Sequence, residues 1–99
     1  MNKAASQVTA VLLALANENR LLLLCQLSSG EKCVGELEQL LDIHQPTLSQ
    51  QLGVLRKKGV VTTRREGKNI FYSIADTRAL VLLRTMYEIY CIKPGSKTK

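Results

Sequence analysis

The chain has 99 residues, 45% of them hydrophobic, and a formal net charge of +6 from 14 Lys+Arg against 8 Asp+Glu. These totals predict one compact globular domain spanning 1–99 and exclude an intrinsically disordered chain. The surplus of cations favours a polyanionic partner, because cation–phosphate association releases counterions; on charge alone an anionic membrane surface competes.

A domain this small has an unfavourable surface-to-volume ratio, which dimerisation would relieve. Residues 4–16 place Val8, Val11, Leu12 and Leu15 at helical spacings and predict helix 1. The apolar stretch from Val8 to Ala16 is interrupted by Thr9 and is too short to cross a bilayer. It does not read as a secretory signal either, so a cytoplasmic location with no membrane partner is expected. ENRLLLLCQLSSG predicts helix 2, started by Asn17 or Asn19 and stopped by Ser28, Ser29 and Gly30. Its apolar residues run almost all the way round, the pattern of a buried helix. Cys33 and Val34 read as a short strand. VGELEQLL reads as helix 3, with Val34, Leu37, Leu40 and Leu41 on one face.

Asp42, Ile43 and His44 then form a turn, and Pro46 begins the next helix, where its missing N–H costs nothing. Leu48, Leu52 and Leu55 make the inward face of helix 4. Gly59 ends it after Arg56, Lys57 and Lys58, which also complement the helix dipole. From Val60 the period changes. Val60 to Arg64 and Ile70 to Ile74 read as strands, with Glu66, Gly67, Lys68 and Asn69 as the turn between them. Asp76 or Thr77 caps a last helix carrying Leu80, Leu83, Tyr87 and Tyr90; Cys91 lies at its end, and Lys93, Pro94 and Gly95 open a frayed tail. A short-turn helix pair followed by a basic hairpin predicts a mainly α winged helix-turn-helix of about five helices plus a wing.

Helix 4 then has an outward face of Gln45, Thr47, Ser49, Gln50, Gln51 and Val54, with no acidic residue from Gln45 to Lys58. Gln pairs bidentately with adenine, and Ser or Thr bonds a base or a phosphate. Arg56, Lys57 and Lys58 would sit nearer the DNA backbone. Arg65, Lys68 and Asn69 of the hairpin suit a minor groove or a run of phosphates. Two plainer readings stand beside these. A helix face of Gln and Ser can simply be solvated, and basic residues on a hairpin can protect a sheet edge from unwanted pairing. A winged helix that binds protein is a further alternative. An enzyme is not expected: there is no Gly-rich phosphate loop, no paired carboxylates in a pocket context and no evident Cys–His pair.

The stretch VGELEQLLDIHQPTLSQQLGVLRKKGVVTTRREGKNIFYSI resembles the ArsR family of winged-helix repressors, most specifically in QPTLSQQLGVLRKKGVV and RREGKNIFYSI. The likeness runs from about Leu15 to Tyr90. It implies a homodimer paired mainly through its first and last helices and bound to palindromic operator DNA until an inducer releases it. A two-fold dimer presents its recognition helices one DNA turn apart, ~34 Å, as a palindrome requires. Many members sense metals. One common site is a C-x-C pair at the start of helix 3, where this chain has Cys33 but Gly35 in place of the second thiol. Another puts Asp and His on the last helix, where this chain has Asp76 and no histidine. The sole histidine, His44, lies in the turn and reads as a cap or a phosphate contact. No metal and no cofactor are therefore expected.

Three cysteines, an odd number, argue against a permanent disulfide framework. Taken alone, Cys25 in LLLLCQL reads as a small buried packing residue. The chain also resembles the BigR-, SqrR- and HlyU-like branch of the family, which responds to reactive sulfur species through one cysteine in helix 2 and one at the end of the last helix. Cys25 and Cys91 stand at those places. The resemblance implies that the dithiol form binds the operator. Persulfide or polysulfide, as inducer, would bridge the pair through two or more sulfurs and release the DNA. Cys33 departs from that pattern. With Cys25 and Cys91 it could form a three-thiolate site for arsenite-like ions, the alternative inducer.

Overall fold

The computed structural model describes residues 3–90. The elements run α1 (Lys3–Leu15), α2 (Glu18–Leu27), β1 (Lys32–Cys33), α3 (Val34–Leu41), α4 (Gln45–Lys57), β2 (Val61–Glu66), β3 (Asn69–Ile74) and α5 (Thr77–Tyr90). This is the winged helix-turn-helix order predicted from the sequence. The tail from Cys91 onward lies outside the described residues. No single described helix is long and apolar enough to cross a membrane.

Local chemistry explains most boundaries. The Asn17 side chain accepts the Arg20 N–H at 3.0 Å and starts α2. Asp76 Oδ1 accepts from the Arg78 and Ala79 N–H groups, at 2.9 and 3.4 Å, and starts α5. The short strand lies one residue earlier than predicted, because Val34 already belongs to α3. The Glu36 carboxylate accepts the Cys33 N–H at 3.0 Å and closes the first turn there. At the far end of α4 the Gly59 N–H reaches the Arg56 carbonyl at 3.0 Å and the Val60 N–H reaches the Leu55 carbonyl at 2.9 Å. That pair of bonds is a Schellman stop, and it needs the positive φ of 78° that Gly59 adopts.

His44 does not cap α4. It occupies the N-cap position with extended backbone, but its side chain makes no capping bond. Pro46 in the first turn removes one donor that would have needed a cap.

The sheet has the order β1-β3-β2 and is antiparallel throughout. In the wing Glu66 pairs with Asn69, so the turn shrinks from the four residues predicted to Gly67 and Lys68. Gly67 adopts φ 63°, as the first central position of a tight hairpin turn twisted to match its strands demands.

Leu23, Leu24 and Leu27 of α2, Leu37 of α3, Leu48, Leu52 and Leu55 of α4, and Leu83 and Tyr87 of α5 meet in one core. Two predicted apolar faces are narrower than the sequence suggested. On α1 the chain turns by 96° into α2, so Ala14 and Leu15 are buried while Val8 and Leu12 remain about half exposed. On α3, Leu37 is buried but Leu40 is 54% exposed. Consecutive helical residues diverge by roughly 100°, so Leu40 cannot share the line of Leu41 and Val34 in so short a helix.

This contrast is testable. Leu52→Ala should cost about 2–5 kcal/mol in urea unfolding, through lost burial and a residual cavity. Leu40→Ala should stay within about 0.5 kcal/mol, as exposed substitutions do. Equal losses would mean that the core is misassigned.

Candidate nucleic-acid interface and thiol site

The helix that the sequence reading assigns to DNA is α4. Its three leucines are fully buried, which fixes what the opposite side presents. Gln45, Ser49 and Gln50 are exposed, and Thr47, Gln51 and Val54 are half-buried along one flank. Arg56 and Lys57 are exposed in the last turn. Gly53 is exposed on the same outward side, and a Cβ built there meets nothing within 4 Å. The protein's own packing therefore does not require a glycine at this position, although glycine in a helix interior costs about 1 kcal/mol relative to alanine.

The wing divides its cations into two sets. Arg64 Nη2 and Nε grip Glu31 at 2.5 and 3.3 Å, Nη1 reaches Glu66 at 3.1 Å, and the guanidinium lies 4.9 Å from the Phe71 ring centroid. Glu31, and after it Glu66, holds the Arg64 proton more firmly than usual, and Glu31 is in turn held below the ordinary carboxylate range by Arg64. These groups are solvent-exposed, so the cluster orients the wing more than it stabilises the fold. Arg65, Lys68 and Asn69 are exposed, and neither Arg65 nor Lys68 pairs with an acidic group among the described residues. Strand alternation turns Arg65 to the sheet face opposite Arg64.

Gln51, another sequence candidate, also bonds within the protein. Its Oε1 accepts a bond of 2.9 Å from Arg20 Nη1. The same guanidinium donates to the last-turn carbonyls of α1, at 2.6 Å to Ala14 and 3.1 Å to Leu13.

Cys25 is 5% exposed and lies beside Tyr87 of α5. Burial pushes its thiol above the ordinary value, and the neighbouring Tyr87 hydroxyl offsets this in part. Burial, and then the cysteine, likewise raises Tyr87. The tyrosine hydroxyl is buried beside Cys25 and Ser28 without meeting hydrogen-bond geometry to any described residue. Cys33 is half-buried at the β1–α3 junction, opposite Phe71 in the sheet. Cys91 lies outside the described residues. Among the described residues no three His, Cys, Asp or Glu side chains converge as a metal site.

A profile described as bacterial regulatory protein, arsR family, matches residues 17–63. The chain is 55% identical over 91 residues to the biofilm growth-associated repressor of Agrobacterium fabrum, covering 92% of this chain and 78% of that one. The chain belongs to the ArsR family. Its structure is similar to that of HlyU from Vibrio cholerae, with a TM-score of 0.88, 38% identity and coverage of 93% of this chain and all of that one. It is also similar to the transcriptional repressor BigR from Xylella fastidiosa, with a TM-score of 0.86, 49% identity and coverage of 92% and 93%. The resemblance to a BigR- and HlyU-like branch is thus borne out.

As an ArsR-family protein the chain is a DNA-binding transcriptional regulator. Sequence reasoning found α4 and the wing from local patterns. It missed Arg20 and the Glu31–Arg64 pair. Glu31 and Arg64 are distant in sequence and meet only because β1 and β2 flank β3. An arginine at the head of an apolar helix carries no local sign of what it will bind.

The buried thiol has a measurable signature. Because its pKa is raised, Cys25 is less ionised at any given pH than a small-molecule thiol of pKa about 8.5. Iodoacetamide alkylation of Cys25 in the reduced protein, followed by peptide mass mapping, should keep accelerating above about pH 8.5. A rate that levels off at or below it would contradict the burial described.

Proposed function

We propose that this ArsR-family chain is a homodimeric, cytoplasmic repressor that holds palindromic operator DNA through α4 and the wing. We further propose that persulfide or polysulfide releases it by bridging Cys25 and Cys91. The observation that carries the DNA reading is the face of α4. Gln45, Ser49 and Gln50 stand exposed around an open Gly53 with no carboxylate among them, and Arg65 and Lys68 of the adjoining wing have no acidic partner among the described residues. The dimer reading is supported by apolar surface on two helices. Val8, Leu12 and Leu13 of α1 and Val81, Leu82, Ile89 and Tyr90 of α5 are each between 37% and 69% exposed. Clustered apolar exposure of this kind marks an interaction site.

The thiol reading is supported by the packing of Cys25 against α5, the helix that Cys91 follows directly in sequence. The buried, raised Cys25 is the poorer nucleophile of the two in this scheme, and Cys91 is assigned the first attack. Its thiolate takes the outer sulfur of a persulfide R–S–SH, forming Cys91–S–SH and leaving R–SH. The Cys25 thiolate then attacks the inner sulfur, forming the disulfide and expelling hydrogen sulfide. The two protein thiols lose two electrons, and the transferred sulfur gains them. The second step is intramolecular, and proximity offsets the small thiolate fraction of Cys25. The tether then joins α2 to the dimerisation helix, which is how a local bridge alters the spacing of two recognition helices.

Three measurements test this. Lys68→Ala should weaken binding to all DNA alike and flatten the log–log salt slope by about one unit. Gln50→Ala should instead lose about 1–3 kcal/mol of discrimination between sites. A flat salt response of the wild type would sink the DNA reading. Peptide mass mapping after treatment of the reduced protein with polysulfide should find a Cys25–Cys91 bridge of two or more sulfurs together with loss of DNA binding. Absence of that bridge, or a bridge that leaves binding intact, returns Cys25 to the core.

A further inference from the structure

Arg20 joins two helices with different duties. Its Nε and Nη2 close the end of α1 by bonding the Ala14 and Leu13 carbonyls at 2.6 and 3.1 Å, and its Nη1 bonds Gln51 Oε1 of α4 at 2.9 Å. A guanidinium has only donors, so the amide oxygen of Gln51 must face it and the amide nitrogen must face away. The guanidinium is also planar, with its donors in a rigid fork, so it fixes direction as well as distance. Its own backbone is anchored to the Asn17 side chain, at the elbow where α1 turns into α2.

Two features of the surroundings give this strut a mechanical role. Leu12 and Leu13, in the last turns of α1 beside the bonded carbonyls, are 51% and 60% exposed and belong to the apolar surface assigned above to the dimer. Gln51 sits half-buried on the flank of α4, between the leucine stripe and the outward face. We infer that Arg20 is a positioning residue that passes the dimer's geometry to the recognition helix through Gln51, and so sets the half-site spacing that the dimer accepts. Gln51 acts here as the anchor of the strut and not as a reader of bases. This rests on the DNA-binding reading above. One added base pair shifts a half-site by ~3.4 Å and turns it by ~34°, more than three short hydrogen bonds can follow.

The test uses the full chain and a palindromic duplex selected by the wild type from a random-sequence pool. Affinity is measured for that duplex and for versions with one base pair added or removed at the centre. The wild type should prefer its selected spacing. Arg20→Met and Gln51→Met should each erode that preference by about tenfold, the scale of a lost hydrogen bond to a charged group. The dimer and the preference among half-site sequences should be unchanged. Gln51→Glu, which keeps an acceptor for the guanidinium, should retain the spacing preference. Should Arg20→Met fail to fold, as judged by circular dichroism, Gln51→Met decides. Spacing preference held within about twofold in the folded methionine variants overturns the inference. So does an equal loss on every spacing, which is what a merely structural role would give. A wild type that enriches no duplex overturns the DNA reading, and this inference with it.

Discussion

Everything in this molecule depends on α4 having one side that must be dry. Leu48, Leu52 and Leu55 are fully buried against the rest of the core, and a helix whose stripe is fixed that firmly has no freedom to roll. Its other side is therefore presented as a rigid surface. Gln45, Ser49 and Gln50 gain their use from leucines they do not touch. The Schellman stop at Gly59 adds a second constraint, because it delivers the chain into the wing at a set angle. Helix and hairpin are thus held in a fixed relation.

Charge is apportioned with similar economy. A net charge of +6 looks like a diffuse attraction, but the structure withdraws one of the wing's cations from general use. Arg64 is held between Glu31, Glu66 and the face of Phe71, and it serves to hold the wing to the β1 side of the sheet. Arg65 and Lys68 keep their charge available. Counting cations in the sequence therefore overstates how many stand free of an acidic partner.

The elements were legible in the sequence because their signals are local. The leucine spacing of α4, Asn17 and Asp76 as caps and the Gly67 turn each act within a few residues. The misplacements share a physical cause, which is that a local pattern does not say how far a face extends. Val8, Leu12 and Leu40 have the spacing of core residues and stand exposed, because α1 turns away into α2 after Leu15 and Leu40 points off the line of Val34 and Leu41. His44 sits where a cap belongs but does not act as one. Among the candidate site residues, the exposed polar face of α4 was readable from the leucines by subtraction. The commitment of Gln51 to Arg20 was not, since it depends on where the end of α1 lies after the chain has turned through 96°.

The open space above Gly53 carries a consequence for any attempt to harden this protein. Alanine would suit the helix better and would collide with nothing of the protein's own. A stability-guided redesign would therefore choose this position early. It would place a methyl group in the middle of the outward face of α4. Under the DNA reading proposed above, the most economical gain in robustness and the approach of a duplex would compete for the same few cubic ångströms.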